Sequence, residues 1–353
     1  MTPKIGIVEG FFGQPWSWDE RESVVNLLAP AGLDFYIYAP KADPNLRRQW
    51  HQNYDKATLE QLASFEEKCT SAGVKFGVGL TPFEVFEFND DCRSALKKRI
   101  IEFNQIGIKE LAILFDDMKG SGDRISSTQS DIVNFCLEHS SAHKILMCPT
   151  YYSDDAILDR VFGPRPEHYL EELGKKLDPS VEVFWTGEEV CSKAISEGHI
   201  RRISNMIGRN IAIWDNYPVN DGPRMSERLH LRPFTGRSHD LAPIITRHAI
   251  NPALQPTLSC IPILTLFSSY RDGKGYRYMS AWNEAASKIL DDSLHELIIT
   301  NWIVLNDQNR QDIITKAPQF IHDLGSINTK AAREIREWLA GRYIVTGEMV
   351  MTQ

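Results

Sequence analysis

Eight short runs of β-forming residues divide this chain at a nearly regular interval, and that interval constrains the fold more than any other feature. KIGIV, DFYIY, KFGVG, ELAILF, KILMC, VEVFW, IAIW and APIIT begin at Lys4, Asp34, Lys75, Glu110, Lys144, Val181, Ile211 and Ala242. They lie roughly 30 to 40 residues apart, the span of one strand with its returning helix. Segments with helical spacing fill the gaps, such as WDERESVVNLLAPAG, DKATLEQLASFEEKCTSAG and SALKKRIIEFNQIG. The second sets Leu59, Leu62 and Phe65 along one face and closes on Gly73, as a capped helix over a sheet does. Apolar strands alternating with amphipathic helices call for a parallel sheet covered by helices. An open doubly wound sheet is one solution. A closed (β/α)8 barrel of the TIM type fits eight successive units better.

The seventh unit departs from the pattern. Between Asp215 and Asp240 the chain is rich in Pro, Gly, Asn and Arg, which predicts a long loop on the binding face instead of a helix. After the eighth strand the strand signals stop. YMSAWNEAASKIL, SLHELIITNWIVLN, QDIITKAPQFIHDL and TKAAREIREWLAGRYI all carry helical spacing. The expected division is a catalytic barrel over 1–269 and a helical extension over 270–353, the latter a candidate surface for contact with a second copy.

Composition narrows the function class. Among 353 residues, 39 basic against 47 acidic side chains leave a net charge of −8. No Lys or Arg run could track a phosphate backbone, so nucleic acid is not an expected partner. The longest apolar run, IPILTLF, is too short to cross a bilayer, so no membrane partner is expected either. The opening MTPKIGIVEG lacks the basic and apolar regions of a secretion signal, and the six cysteines show no paired or metal-type spacing. A cytoplasmic protein is the expectation.

In barrels of this kind chemistry sits on the loops that follow the strands. The fourth predicted strand runs through LAILF straight into Asp116-Asp117 and then MKGSGD. An isolated Asp-Asp after a strand is ordinarily a solvated turn. The other strand ends change that reading. They carry EGFFG, APKAD, CPTYY, WTG, WDN and HAINP, so that polar groups and aromatic rings converge on one rim. Sugars ask for this mixture, because hydroxyls pair with Asp, Asn and Lys while the C–H face of the ring packs on Trp or Tyr. Two neighbouring carboxyls cannot both ionise cheaply, so one can carry a proton for a leaving oxygen while the other stays anionic. Adjacent strand residues point to opposite faces, so both reach one substrate only where the chain bends. Gly120, Ser121 and Gly122 are the expected source of the bend.

Taken in order, GIVEGFFGQPWSWDER, YIYAPKADPNLRRQW, LAILFDDM, MCPTYY, FWTGEEV and AIWDNYPVND resemble the successive motifs of glycoside hydrolase family 84, the O-GlcNAcase and hyaluronidase-like β-N-acetylglucosaminidases. The likeness runs from Ile5 to about Pro252. It implies a retaining hydrolase in which the substrate's own acetamide oxygen attacks the anomeric carbon and forms an oxazoline. By the resemblance, Asp116 polarises the acetamide N–H and Asp117 is the general acid and base. Gly10 and Lys41 would meet the O3 side of the sugar, and Asp221 with Asn251 would hold O4 and O6. Tyr152 and Asn216 would flank the acetamide and the reacting centre, with Trp214, Thr186 and Val190 shaping the acetamide pocket. The partner implied is a GlcNAc-bearing glycoprotein or glycan, and no cofactor or metal is implied.

Two departures fall on the aglycone side: Glu188 stands where the family pattern would have proline, and MKGSGD differs from the expected loop. A metal-dependent barrel hydrolase would want His-x-His after the first strand, where this chain reads EGFFG, and only His248 lies near a predicted strand end. The remaining alternative is a GlcNAc-binding, lectin-like barrel without turnover.

Overall fold

The computed structural model describes residues 3–85, 87–119 and 122–353. Eight parallel strands close in chain order into one barrel: β1 (Lys4–Glu9), β2 (Leu33–Tyr38), β3 (Lys75–Leu80), β4 (Glu110–Leu114), β5 (Lys144–Cys148), β6 (Glu182–Trp185), β7 (Ile211–Asp215) and β8 (Ile245–Ile250). The last strand pairs back on the first, with Gly6 opposite Ala249. Side chains of β4 and β7 are buried throughout, as strands covered on both faces require. The open-sheet alternative is thereby excluded.

β8 begins three residues later than the run APIIT suggests. The strand is ITRHAI, and Arg247 and His248 lie wholly buried within it. Their polarity hides the strand from an apolar pattern, and ion pairs inside the barrel make them tolerable there.

Local signals set the helices that cover the barrel. α1 (Trp18–Leu28) opens on a Ser17/Glu20 capping box, α2 (Lys56–Ser71) on Asp55, and α3 (Asp90–Ile106) on Asn89. α2 buries Leu62 and Phe65 as its spacing predicts, while Leu59 is only partly covered. α4 (Ile125–His139), α5 (Ala156–Phe162), α6 (Tyr169–Lys176) and α7 (Glu197–Ile207) complete units four to six. Between β7 and β8 there is no α-helix, only one 3-10 turn at His239–Leu241. α8 (Pro256–Asp272) follows β8 and passes through the expected boundary at 269.

The helices after it are α9 (Tyr278–Ile289), α10 (Asp292–Thr300), α11 (Trp302–Asp307), α12 (Arg310–Lys316), α13 (Pro318–Gly325), α14 (Lys330–Leu339) and α15 (Gly347–Thr352). Two of the sequence patterns each split into a helix pair, at Asn301 and at Ala317 before Pro318. These helices share one hydrophobic core with the barrel. They also brace the segment that lacks a helix: Trp282 Nε1 donates to Leu231 O (2.7 Å), Trp338 Nε1 to Ser226 O (2.9 Å), and Arg232 pairs with Asp307 (2.7 Å). The carboxyl-terminal helices therefore supply the cover that a seventh barrel helix would have given. No helix among the described residues is long and apolar enough to cross a membrane.

Candidate active site

The β4 strand delivers Asp116 and Asp117 to the carboxyl mouth of the barrel, and the chain turns at Asp117 itself. Asp117 has a φ of 55°, the left-handed region that a non-glycine residue occupies only when its surroundings hold it there. The bend expected from the glycine-serine loop is thus one residue into the pair. Gly120 and Ser121 lie outside the described residues, and Gly122 turns further along with a φ of 72°. The reversal answers the geometric problem of two adjacent carboxyls, because both side chains now face one cavity.

All eleven residues singled out from the sequence line that cavity: Gly10, Lys41, Asp116, Asp117, Tyr152, Thr186, Val190, Trp214, Asn216, Asp221 and Asn251. Its volume is about 260 Å³, near the small end of ligand pockets and suited to one sugar ring.

Asp116 is buried, and its Oδ2 takes a hydrogen bond and ion pair from the buried Lys41 ammonium. Its Oδ1 is buried without any partner. An anionic oxygen left this way is costly unless a donor arrives, which marks it as an acceptor for a ligand N–H or O–H. Lys41 is therefore engaged with the aspartate, beyond the sugar-facing role the resemblance implies.

Asp117 Oδ1 accepts from Tyr152 Oη (3.1 Å). Burial pushes the Asp117 carboxyl above the usual range, with the charge of Asp116 adding and the cations of Lys41 and Arg47 opposing. The same burial, reinforced by Asp117, lifts the Tyr152 phenol well above its ordinary value, so it remains a donor. Asp221 is pushed up to about 6, chiefly by burial, while its Oδ2 accepts from Phe12 N (3.0 Å).

A connected set of amides forms the opposite wall. Asn251 Oδ1 accepts from Gly10 N (3.2 Å) and its Nδ2 donates to Asn216 Oδ1 (3.1 Å). Asn216 Oδ1 also accepts from Trp214 Nε1 (2.9 Å), and Asn216 Nδ2 donates to Val190 O (2.8 Å). Thr186 Oγ1 donates to Glu189 O (3.0 Å), and its amide to Tyr152 O (2.9 Å). Gly10 is required here, since a Cβ at that position would lie 2.5 Å from the Trp214 ring.

A family model described as beta-N-acetylglucosaminidase matches residues 5–300. The chain belongs to the beta-N-acetylglucosaminidase family. Protein O-GlcNAcase of Mus musculus is 31% identical to it over 276 residues, covering 75% of this chain and 30% of that protein. Protein O-GlcNAcase of Rattus norvegicus matches to the same extent, so the chain spans about 30% of the length of these curated relatives. An aspartate-to-asparagine mutant of the O-GlcNAc hydrolase of Thermobaculum terrenum superposes with a TM-score of 0.80 at 27% identity, covering 96% of this chain and 80% of that one. The cavity thus belongs to a chain of this family, and the carbohydrate chemistry read from the strand ends is in keeping with the family's description.

Phe12, Cys148, Cys191, Val219, Met225 and Val350 also line the cavity and were not singled out. Phe12 and Cys148 stand inside the motifs EGFFG and MCPTYY, so their place beside motif residues at the strand ends is the signal that marks them. Val350 gives no such signal, because it arrives from α15. Glu188, the departure from the family pattern, bonds Ser196 Oγ (2.6 Å) and does not line the cavity. His248 is buried within the barrel against Asp215 and Tyr270 and belongs to no metal cluster among the described residues.

Proposed function

We propose that this chain removes terminal GlcNAc from a glycoprotein or glycan by substrate-assisted retaining hydrolysis, as an O-GlcNAcase-like enzyme. The observation that carries the proposal is the division of labour at Asp116-Asp117. Asp116, fixed by Lys41, offers an unpaired carboxylate oxygen, whereas desolvation pushes the Asp117 carboxyl above its ordinary range, the direction a proton donor needs. In the first step the acetamide N–H donates to Asp116 Oδ1, which makes its carbonyl oxygen a better nucleophile toward C1. Asp117 gives its proton to the glycosidic oxygen as that bond breaks, and the acetamide closes to an oxazoline in its N-protonated, cationic form, the N–H remaining hydrogen-bonded to the Asp116 carboxylate. In the second step the Asp117 carboxylate takes a proton from water as the water opens the ring at C1. Two inversions leave the anomeric configuration unchanged.

Around this pair, Gly10 and Lys41 would meet O3, while Asp221 and Asn251 would hold O4 and O6. Trp214, Thr186 and Val190 would enclose the acetamide methyl, and Tyr152 and Asn216 would orient the reacting centre. The six unpaired cysteines support a reducing, cytoplasmic setting. The exposed Ile299, Ile303 and Ile314 support a self-contact through the tail helices, which sizing in solution tests.

Turnover of aryl N-acetyl-β-glucosaminides with leaving groups of graded acidity tests the mechanism. Asp117→Ala should lower kcat on poor leaving groups by on the order of 10²- to 10⁴-fold, with much smaller losses on very acidic phenols. Asp116→Asn should make the rate insensitive to what replaces the acetyl group. Wild-type protein that binds GlcNAc but turns nothing over would favour the lectin-like reading. Activity abolished by a chelator would favour the metal-dependent one.

A further inference from the structure

Arg47 lies beneath the catalytic pair in a setting that neither a surface charge nor an ordinary ion pair explains. It is buried, with 4% of its surface exposed, on the loop that follows β2. Its guanidinium sits 4.8 Å from the Phe83 ring centre and 5.8 Å from that of Phe12. Nη2 donates to the main-chain oxygen of Asp117 (3.4 Å), Nε donates to the main-chain oxygen of Gln353 (3.1 Å), and Nη1 is buried without a partner. Burial holds its pKa below the usual guanidinium range, and the charges of Asp116 and Asp117 oppose that effect. Keeping an under-bonded cation in so dry a place is unfavourable unless something holds it.

The carboxyl-terminal turn provides the hold. Gln353 grips the main chain of Gly13 in both directions, accepting from Gly13 N (2.7 Å) and donating to Gly13 O (3.3 Å). Its main-chain oxygen also accepts from Arg48 Nε (3.1 Å), and Arg48 Nη2 reaches Met351 O. Thr346 caps the turn through Met349 N (3.2 Å), and Val350 faces the cavity. The same segment thus touches the β1 loop, the β2 loop and the site.

We infer that Arg47 is a positioning residue for Asp117, and that α15 with Gln353 seats Arg47 while Val350 closes the pocket wall. The inference rests on the proposed role of Asp117 as proton donor. Asp117 is the residue whose left-handed turn aims its carboxyl into the cavity, and a donor on its carbonyl restrains that turn from below. The cation also stands close enough to act on the charge of the carboxyl.

The test compares wild type, Arg47→Met, Arg47→Lys and a chain lacking residues 346–353. Each is measured for kcat, KM and pH profile on an aryl N-acetyl-β-glucosaminide, and for titration of the Asp117 carboxyl by 13C NMR, with Asp117→Asn to assign the signal. Arg47→Met should lower kcat by roughly tenfold to a hundredfold, as small misplacements of a reacting group do. It should also move the alkaline limb upward, because one cation that favours the Asp117 carboxylate is gone. Arg47→Lys should restore the limb but only part of kcat, since an ammonium cannot bridge both oxygens with a planar fork. The shortened chain should lose kcat and weaken KM together. Wild-type kcat and an unmoved limb in Arg47→Met or in the shortened chain would overturn the inference while leaving the proposed function intact. If wild type turned nothing over, the proposed function would fail, and an Asp117 titration indifferent to Arg47→Met would overturn the inference separately. Should Arg47→Met not fold, the shortened chain carries the comparison.

Discussion

The two ends of the barrel handle buried charge in opposite ways. At the amino end, Arg247 of β8 reaches Glu110 at the start of β4 and Glu182 at the start of β6, each at 2.6 Å, and Lys144 joins Glu182 at 3.5 Å. Apart from Arg247 Nη2, that network is satisfied. At the carboxyl end, Asp116 keeps an unpaired oxygen, Asp117 sits in a strained turn, and Asp117 and Asp221 are both pushed toward protonation. The difference is between charges arranged to be complete without a ligand and charges arranged to be completed by one. Barrel enzymes as a class divide stability and chemistry between these ends, and the paired and unpaired charges of this chain are distributed along the same division.

Removing the paired end is the severest way to break the comparison. Arg247→Met leaves Glu110 and Glu182 buried without their cation and should cost about 3–5 kcal/mol of stability. Urea unfolding measures that loss. The molecules that stay folded should keep the wild-type kcat and pH profile, because no atom of the network lines the cavity. A fall in kcat at unchanged stability would mean that the two ends are not separable.

How much of this division could be read in advance depended on the range of the contacts involved. The shared cavity of Asp116 and Asp117 was legible because an apolar strand running into two acids is a local anomaly, and the other strand ends supplied the aromatics and amides that line it with them. The absent seventh helix was legible from its Pro and Gly. The αL turn at Asp117 was not, since nothing in the local residue pattern distinguishes it from a bend in the following glycine loop. The true bounds of β8 are hidden in the sequence because Arg247 and His248 are polar, and only their distant partners make them core residues. Arg47 meeting Gln353 joins positions 306 apart, and α15 is too short to announce itself, so no periodicity could bring either to the cavity.

A perturbed acid outside the site sharpens the same contrast. Glu334 of α14 is buried and accepts from the amides of Thr257 and Leu258 at the start of α8, both at 2.9 Å. Burial pushes its pKa up to about 7 from 4.5. The folded chain therefore binds a proton that the unfolded chain releases across that window. Stability should fall as pH rises through it, by at most about 1.4 kcal/mol per unit. Glu334→Gln should flatten the slope in a melting series across this range. An unchanged slope would place the acid responsible at the cavity instead, among Asp117 and Asp221.

The smallest effect tests whether the carboxyl end is held against its own stability. Asn tolerates the left-handed turn at least as well as Asp, keeps an oxygen for the Tyr152 hydroxyl, and carries no charge to bury. The folded-state pKa of Asp117 is raised, because burial outweighs the help of Lys41 and Arg47. The wild type therefore loses stability as pH climbs above the ordinary carboxylate range, and Asp117→Asn has no such loss. The variant should gain about 0.5–2 kcal/mol at neutral pH while losing turnover of poor leaving groups. The gain should shrink toward pH 4 and vanish below the ordinary carboxylate range, where Asp117 is protonated in the folded and unfolded chain alike. Were the variant less stable than wild type at neutral pH, the two cations would be the dominant influence on Asp117, and its carboxyl would be held by pairing, like the charges at the other end of the barrel.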